Sequence, residues 1–245
     1  MRVVASIEAR MGSTRLPAKV MSDIRGLPSI ARLVRRLEAC VRLDDIVLAT
    51  STSSVDDTLV EWAESVGLQV YRGSEDDVLL RVVESHQKMN SDVIVEITGD
   101  CPLLDPEIID LGIETFLAND CDVVTNVRVP SFPEGADVQV FKTSALTQVE
   151  KMVKDSSVRE HVSLYFYENP QIYRIIHLIA PASCQGAGLR LQLDYEEDLT
   201  FIRAIYDRLE PKHGGCFGIR EILDLLDCEP DLRKINSHCV EKPVR

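Results

Sequence analysis

Short apolar runs alternate with segments of helical periodicity through the first half of this 245-residue chain. Each run is continuously apolar, which is typical of a strand buried on both faces of a sheet. Strands that alternate with helices in this way pair in parallel through right-handed crossovers. We therefore predict an α/β fold with a doubly wound, mostly parallel sheet. The predicted strands are Val3–Ile7, Ile46–Thr50, Leu68–Tyr71, Val93–Ile97 and Cys121–Val127, and the predicted helices are Ser29–Cys40, Val55–Val66, Glu75–Met89 and residues 106–117.

The regular alternation ends near residue 127, where a loop with two prolines follows (residues 128–135). Shorter elements come after it, and this part is expected to supply the pocket of a second substrate and an oligomer contact. The predicted strands here are Asp137–Phe141, Ile172–Ile179 and Leu189–Leu193, and the predicted helices are Thr143–Lys154, Arg159–Glu168, Glu196–Leu209 and Ile219–Leu226.

The chain is acidic, with a net charge of −13. This charge argues against non-specific binding to nucleic acid or to anionic membranes, because both need a basic surface. Arg32, Arg35 and Arg36 fall largely on the polar face of the helix predicted at Ser29–Cys40, and we interpret them as solvated. A local cluster of positive charge elsewhere in such a chain indicates a small, highly charged ligand.

Features that would direct the chain to a membrane or an oxidising compartment are missing from the sequence. No apolar run approaches the roughly 20 residues that span a bilayer. The apolar run at the start ends at Glu8, so it does not have the pattern of a signal peptide. The seven cysteines are odd in number and form no CxxC pair, which favours free, buried thiols. We expect a cytoplasmic protein without a membrane partner.

A basic loop (residues 9–19) follows the first predicted strand. Gly12 and Ser13 allow a close approach of the backbone to a ligand, Arg10 and Arg15 offer forked contacts, and Lys19 adds a mobile point charge. The loop matches neither the P-loop nor the GxGxxG pattern. Since ligands of open α/β sheets bind at the carboxyl ends of strands, we interpret this loop as a grip for a triphosphate. The alternative is a solvated basic turn.

Two aspartates follow predicted strands at the edge where such ligands bind. Asp100 comes just after Val93–Ile97, and Asp194 comes just after Leu189–Leu193. Carboxylates together with phosphate oxygens are the ligands that Mg²⁺ prefers, so the pair predicts a magnesium site beside the basic loop. Taken singly, each has another interpretation. Asp100 is compatible with a turn residue, and Asp194 with a helix cap that pairs with Glu197.

A different acidic pair, Asp120 and Asp122, has the DxD form that metal-dependent glycosyltransferases use. Asp122 opens a predicted strand rather than ending one, which would put it at the opposite edge of the sheet. Cys101 has no base that can be placed beside it, and we interpret it as an inert thiol.

The basic loop and the segments around Asp100 and Asp194 resemble motifs of the cytidylyltransferase family of the spore-coat polysaccharide biosynthesis protein F type. This family is related to the CMP-sugar synthetases for 3-deoxy-manno-octulosonate and sialic acids. The resemblance extends to about residue 236. The motifs that carry it are Glu8-Ala9-Arg10-Met11-Gly12-Ser13-Thr14-Arg15-Leu16-Pro17-Ala18-Lys19, Ala49-Thr50-Ser51-Thr52, Arg72-Gly73-Ser74-Glu75-Asp76-Asp77, Thr98-Gly99-Asp100-Cys101-Pro102-Leu103, Pro133-Glu134-Gly135-Ala136-Asp137, Arg159-Glu160-His161, and Leu193-Asp194 followed by Glu197-Asp198-Leu199.

The resemblance implies a single Rossmann-like nucleotidyltransferase domain over residues 1–245 that uses CTP and Mg²⁺, usually as a homodimer. Residues 1–127 would be its nucleotide-binding half, residues 128–210 its acceptor and oligomer half, and residues 211–245 a C-terminal helix and tail. It also implies roles for individual residues. Arg15, Lys19, Asp100 and Asp194 would be catalytic, with both aspartates as Mg²⁺ ligands; Ala9, Arg10, Met11, Gly12, Ser13, Arg15, Lys19, Thr50, Ser51, Arg72, Ser74, Asp77, Thr98 and Gly99 would bind the nucleotide; and Asp137, Arg159 and His161 would bind the acceptor.

The chain departs from the family pattern at several positions. Glu8 stands where Gln is usual before Ala-Arg, and Glu134 and Ala136 replace commoner residues in the acceptor-side motif. Gln192-Leu193-Asp194-Tyr195 stands where Thr-Val-Asp-Thr is usual. The identity of the acceptor is therefore open.

Three functional hypotheses follow. The first is a cytidylyltransferase that joins CMP from CTP to the hydroxyl of an acidic sugar, of octulosonate or nonulosonate type, in the synthesis of a surface polysaccharide or glycan. The second is a glycosyltransferase that uses a finished nucleotide sugar and Asp120 with Asp122. The third is a catalytically silent nucleotide-binding module.

Overall fold

The computed structural model describes residues 1–240. None of the helices in this part of the chain is long and apolar enough to cross a membrane. Its strands are β1 (Val3–Glu8), β2 (Asp23–Ile24), β3 (Leu27–Pro28), β4 (Asp45–Ser51), β5 (Gln69–Gly73), β6 (Val93–Thr98), β7 (Val123–Thr125), β8 (Gln139–Lys142) and β9 (Ile175–His177). Its α-helices are α1 (Ser29–Glu38), α2 (Asp57–Ser65), α3 (Val78–Met89), α4 (Pro106–Ala118), α5 (Thr143–Met152), α6 (Ser156–Glu160), α7 (Leu164–Glu168), α8 (Glu196–His213) and α9 (Ile219–Cys228).

Seven of the strands form one sheet in the order β5-β4-β1-β6-β8-β7-β9. The pairs along β5, β4, β1 and β6 are parallel, whereas β8 lies antiparallel between β6 and β7. The remaining strands, β2 and β3, form a small antiparallel pair of their own. The prediction of an α/β fold with a mostly parallel sheet is thus confirmed.

The central strands are buried on both faces, as continuous apolar runs predict. Val4 and Ile7 of β1 and Ile94 and Val95 of β6 have no exposed surface. Full burial of one such aliphatic side chain contributes about 1.5–3 kcal/mol to folding. This core fixes the register of β1 against β6, in which Glu8 lies opposite Thr98, and so sets the ends of both strands at one level.

Several predicted boundaries are wrong for local reasons. The helix predicted from Glu75 begins at Val78, because the Asp77 side chain caps it by accepting the N–H of Leu80 at 3.0 Å. The helix predicted at Arg159–Glu168 is divided into α6 and α7, which residues 161–163 separate. Leu189–Leu193 is not a strand in the described structure: its only ladder contact is an isolated bridge between Glu134 and Arg190.

The prediction of a solvated arginine cluster on α1 is wrong for two of its three members. Arg36 has no exposed surface, and its guanidinium donates to Tyr206 Oη at 3.0 Å and to the carbonyl oxygens of Leu104 (3.0 Å) and Phe217 (2.7 Å). Arg32 is also buried and contacts Glu210 on α8, whereas Arg35 is exposed as expected. These buried arginines join α1 to α8.

All seven cysteines are free, as expected. Four of them are buried, whereas Cys216 and Cys228 are exposed and Cys239 is half-buried. Burial raises the pKa of the Cys101 thiol well above its usual value, so this side chain stays protonated and is a poor nucleophile.

Candidate active site

A cavity of about 380 Å³ opens at the carboxyl ends of β1 and β6. Its walls bring together most of the residues that the sequence predicts for the phosphates and the metal. The lining consists of Glu8, Ala9, Arg10, Gly12, Ser13, Thr14, Arg15, Lys19, Val20, Val78, Arg81, Thr98, Gly99, Asp100, Glu160, His161 and Asp194.

The basic loop keeps its shape through hydrogen bonds of its own backbone. The carbonyl oxygen of Met11 accepts the N–H groups of Ser13 at 2.9 Å and Ala18 at 3.1 Å. The Met11 N–H in turn donates to Asp56 Oδ1 at 2.7 Å. No atom lies within 4 Å of the position that a Cβ of Gly12 would take, so a ligand can approach the backbone there. The loop is therefore a preformed, open cradle.

Asp56 is a residue that the sequence analysis missed. Its Oδ2 accepts the hydroxyls of Thr50 at 3.2 Å and Ser51 at 2.5 Å, and all three side chains are buried. Thr50 and Ser51, which the family resemblance assigns to the nucleotide, thus contact Asp56 and do not line the cavity. Their visible role is to hold the carboxylate that anchors Met11 and the basic loop.

Close packing brings Asp100 to the basic loop. A Cβ on Gly99 would lie 2.6 Å from the Cβ of Ala9 and 3.0 Å from the carbonyl oxygen of Glu8, so only glycine allows this approach. The Gly99 N–H donates to the same carbonyl oxygen at 2.9 Å. Asp100 follows directly, and the turn after β6 therefore lies against the end of β1.

Lys19 lies between the two predicted metal ligands. Its Nζ is 2.6 Å from Asp100 Oδ2 and 2.7 Å from Asp194 Oδ1, and Arg15 Nη2 contacts the same oxygen of Asp194 at 2.7 Å. The predicted convergence of residues far apart in the chain is present in the structure. Asp194 is 1% exposed, so its charge is shielded from water and depends on these partners.

The ionisation states follow from this arrangement. Burial acts to lower the pKa of the Lys19 ammonium, but Asp100 and Asp194 outweigh it and raise that pKa above its ordinary value. Burial likewise acts to raise the pKa of Asp100, but Lys19, with hydrogen bonds from Gln192 and Thr98, lowers it below the ordinary value. Both groups are therefore charged at neutral pH.

The donor set fits a hard dication. Asp100 and Asp194 each direct one carboxylate oxygen at the same ammonium group, so a single small cation can reach both. Oxygen ligands of this kind suit Mg²⁺, which completes its shell with phosphate oxygens and water. These two side chains are the ones that would hold it.

The other residues assigned to the cytidine side make hydrogen bonds within the protein and do not line the cavity. Arg72 donates to the carbonyl oxygens of Ser51 at 2.9 Å and Ser53 at 2.8 Å. The Ser74 hydroxyl accepts the N–H of Asp77 at 3.1 Å. None of Arg72, Ser74 and Asp77 is among the residues that line the cavity.

The three residues predicted to bind the acceptor do not lie together in the structure. Arg159 is engaged by carboxylates, with Nε 2.7 Å from Asp77 and Nη2 2.9 Å from Glu150. Its Nη1 donates to two backbone carbonyls, so this guanidinium has a structural task and does not line the cavity. His161 does line the cavity. Asp137 does not, although it lies near enough to Glu96 to help raise the pKa of that residue.

The DxD pair lies away from the cavity. Asp122 precedes β7, which runs parallel to β6 because both are antiparallel to β8. Asp122 is thus at the amino end of its strand and Asp100 beyond the carboxyl end of its own. Asp120 is exposed and forms an ion pair with Arg174. The glycosyltransferase hypothesis finds no support in this geometry.

Glu8, which lines the cavity, is one half of a buried carboxyl pair. Glu8, at the end of β1, shares a hydrogen bond with Glu96 of β6, and Glu96 is 6% exposed. Burial raises the pKa of Glu8 to about 7, with a smaller upward contribution from Asp100, while Arg81 and Glu96 act to lower it. Burial and the neighbouring Glu8 raise the pKa of Glu96 well above its usual value. The pair therefore holds at least one proton near neutral pH.

We predict that Glu8→Gln changes the pH dependence of stability. The folded-state pKa of about 7 lies above the unfolded value of 4.5, so the folded protein binds the extra proton and loses stability as pH rises between these values. Glutamine cannot ionise, and the variant should be more stable than the parent at pH 8 by about 2 kcal/mol, with little difference below pH 4.5. Urea unfolding across this pH range measures the effect.

The control is Glu64→Gln on the exposed surface of α2. It should change the free energy of unfolding by less than about 0.5 kcal/mol at either pH. If Glu8→Gln follows the parent curve at every pH, the assignment of a shared proton to this pair is wrong.

Comparison with known proteins gives a consistent result. A family model described as cytidylyltransferase matches residues 4–213. The spore coat polysaccharide biosynthesis protein SpsF of Bacillus subtilis is 32% identical over 230 residues, covering 92% of this chain and 94% of that protein. A 3-deoxy-manno-octulosonate cytidylyltransferase of Chlorobium chlorochromatii is 31% identical over 192 residues, covering 77% of this chain and 72% of that protein.

Solved structures agree with the sequence comparisons. A cytidylyltransferase from Leptospira borgpetersenii superimposes with a TM-score of 0.89 at 28% identity, covering 95% of this chain and 96% of that one. The similarity thus spans both the regular half of the sheet and the extension.

Proposed function

Because the chain belongs to the cytidylyltransferase family, we propose that it transfers CMP from CTP to a hydroxyl of a sugar acid and releases pyrophosphate. The observation that carries this proposal is the position of Lys19. Its ammonium lies between two buried carboxylates at the mouth of a preformed basic loop. That arrangement suits a metal-bound triphosphate.

The basic loop would hold the phosphates. The open backbone at Gly12 and Ser13 offers N–H groups, and Arg15 offers a forked guanidinium from the side of Asp194. Arg10 is half exposed at the rim, where Glu75 lies 3.9 Å away, and it can turn towards the outer phosphate. These contacts neutralise the charge that develops on the pyrophosphate as it leaves.

The two aspartates would hold Mg²⁺, which when bound lowers the charge on the phosphate that is attacked. Lys19 would then turn from the carboxylates to the phosphates, since its long side chain can reach either. When Lys19 turns away, the bound dication would take the place of its ammonium in keeping Asp100 ionised, beside the hydrogen bond from Gln192. The chain supplies in-line positioning and charge neutralisation, and no covalent intermediate is required.

The proposal also covers the chemical class of the acceptor. We propose an acidic sugar of octulosonate or nonulosonate type, supported by the relative from Chlorobium chlorochromatii. Since Arg159 is engaged with Asp77 and Glu150, its guanidinium does not supply the contact for the acceptor carboxylate. Arg81 lines the cavity and its Nε has no partner among the described residues, so it is the better candidate. His161 would face the sugar hydroxyls.

The proposal extends to the oligomeric state of the protein, its compartment and the pathway in which it acts. The family resemblance supports a homodimer in the cytoplasm that acts in polysaccharide or glycan synthesis, with no nucleic-acid partner. Light scattering after size-exclusion chromatography measures the assembly directly.

The test is an acceptor screen with Mg²⁺ and each nucleoside triphosphate in turn. We expect pyrophosphate only with CTP and an acidic sugar, and mass spectrometry should detect a CMP adduct of that sugar. Pyrophosphate with a different nucleotide would contradict the choice of CTP. Transfer from a finished nucleotide sugar without pyrophosphate would instead favour a glycosyltransferase, and tight CTP binding without turnover would favour a binding module.

A further inference from the structure

The second oxygen of Asp194 has a partner that the proposed mechanism does not use. While Asp194 Oδ1 contacts Lys19 and Arg15, its Oδ2 accepts Arg190 Nη2 at 2.5 Å. Arg190 is 4% exposed, which is rare for an arginine unless carboxylates surround it. Burial opposes its charge, but Asp198 and Asp194 outweigh this and raise the pKa of its guanidinium.

The Arg190 guanidinium joins three carboxylates. Besides Asp194, its Nε lies 3.2 Å from both oxygens of Asp198 and its Nη1 lies 3.3 Å from Glu134 Oε2. The planar fork of arginine can make these contacts at once, whereas the single ammonium of lysine cannot. Arg190 therefore fixes both the position of Asp194 and its orientation towards Lys19.

Asp198 holds the backbone on the other side. It has no exposed surface, and its Oδ2 accepts the N–H groups of Asp194 at 2.9 Å and Tyr195 at 3.0 Å. Asn236, which is 2% exposed, donates its Nδ2 to Asp198 Oδ1 at 2.9 Å and to the carbonyl oxygen of Arg190 at 3.1 Å. A residue beyond α9 thus closes the network around Asp194.

This side-chain network positions Asp194 in place of the strand pairing that the sequence pattern predicts. Residues 189–193 do not belong to the seven-stranded sheet; Leu189 and Leu191 share backbone hydrogen bonds with Glu134, and the Leu193 N–H donates to the carbonyl oxygen of Asp100 at 2.8 Å. These backbone bonds position the chain up to the residue before Asp194. In the described part of the chain, the contacts that orient the Asp194 carboxylate itself come from the side chains of Lys19, Arg15 and Arg190.

We propose that Arg190, Asp198 and Asn236 form a positioning network that holds the Asp194 carboxylate beside Asp100, so that the segment after α9 controls the affinity of the site for a divalent cation. This inference rests on the proposed function insofar as it takes Asp194 as a metal ligand. None of the three touches the reacting groups, and all three act through Asp194.

The test compares two variants with a matched control. Arg190→Lys keeps the charge but loses the fork, and Asn236→Ala removes both amide contacts while leaving every carboxylate in place. The control is Arg208→Lys, which alters a half-buried arginine on α8 whose Nε lies 2.7 Å from Glu229 and which is not part of the network around Asp194. Circular dichroism and thermal unfolding establish whether each variant is folded. If Arg190→Lys does not fold, Asn236→Ala alone provides the test.

The first measurement is binding of Mn²⁺ in the presence of CTP and without acceptor, followed by electron paramagnetic resonance. Residues that orient a metal ligand typically alter metal affinity by a factor of about 10–100, so we expect both variants to bind Mn²⁺ at least about tenfold more weakly, and the control to match the parent. The second measurement is turnover. Saturating metal should restore most of the rate, a rescue that a general loss of structure would not give.

The outcomes are separable from those of the proposed function. If folded Arg190→Lys or Asn236→Ala binds Mn²⁺ as tightly as Arg208→Lys, the positioning network is overturned even when CMP transfer is demonstrated. If the parent transfers CMP to no acidic sugar, but the variants bind Mn²⁺ more weakly as expected, the proposed function fails and the positioning network stands.

Discussion

Asp194→Asn should reduce the rate of CMP transfer by a factor on the order of 10³ while the protein stays folded. The substitution keeps the shape of the side chain and removes the negative charge that Lys19, Arg15 and Arg190 share. Two effects contribute to the lower rate. A proposed metal ligand is lost, and the three positively charged side chains around it no longer have this carboxylate as a partner. Pyrophosphate release in a single turnover measures the rate of the transfer step itself.

Asp122→Asn is the matched control for that experiment. Asp122 is an aspartate at the opposite edge of the same sheet, and its Oδ2 accepts the backbone N–H of Arg174 at 3.0 Å. Transfer should remain within about twofold of the parent, because Asp122 does not line the cavity and lies at the amino end of its strand. The assignment of the active edge would be reversed if Asp122→Asn lost activity and Asp194→Asn kept it.

Lys19→Met should lower turnover by a factor on the order of 10²–10³. Methionine preserves most of the aliphatic stem, so the change is mainly the loss of the ammonium between Asp100 and Asp194. Without it the two carboxylates repel each other, and the phosphates lose a mobile positive charge during departure of pyrophosphate. Steady-state kinetics should place most of the loss in kcat, because the contact strengthens as charge develops.

Lys88→Met tests whether the loss of any lysine has this effect. Lys88 is exposed on α3, and its ammonium donates to the carbonyl oxygen of Val70 at 3.1 Å. Its kinetics should match those of the parent. Near-parental turnover in Lys19→Met would remove Lys19 from the catalytic set.

The central sheet and its active edge could be predicted because both follow from local pattern. Continuous apolar runs identify β1 and β6, and topology then sends the residues after them to one edge. This reasoning brought the basic loop and Asp100 together correctly. It also joined Asp194 to them, although through a strand at Leu189–Leu193 that the structure does not have.

The contacts that the sequence analysis missed join residues far apart in the chain. Arg36 has helical spacing that fits a polar face, and nothing nearby indicates that Leu104 and Phe217 will present carbonyl oxygens to it. Arg159 matched a family motif, but its carboxylate partners Asp77 and Glu150 come from two other helices or their caps. Burial of a charge depends on such distant partners, and local periodicity does not report them.

The positioning network has no signal in the local sequence pattern. Arg190, Asp194 and Asp198 recur at intervals of four residues, but that spacing indicates ion pairs only on a helix, and α8 begins at Glu196. The three side chains meet because the irregular segment before α8 places Arg190 beside both aspartates. Periodicity does not report a geometry of this kind.

The reach of the network to Asn236 has a consequence for refolding from denaturant. The basic loop is held through Met11 and Asp56, which lie in the same part of the chain, whereas Asp194 is held by a network that extends to Asn236. Contacts of high sequence separation form late and slowly. During refolding, the basic loop should therefore take its shape before the Asp194 carboxylate is held in place, and affinity for a divalent cation should be among the last properties that the protein regains.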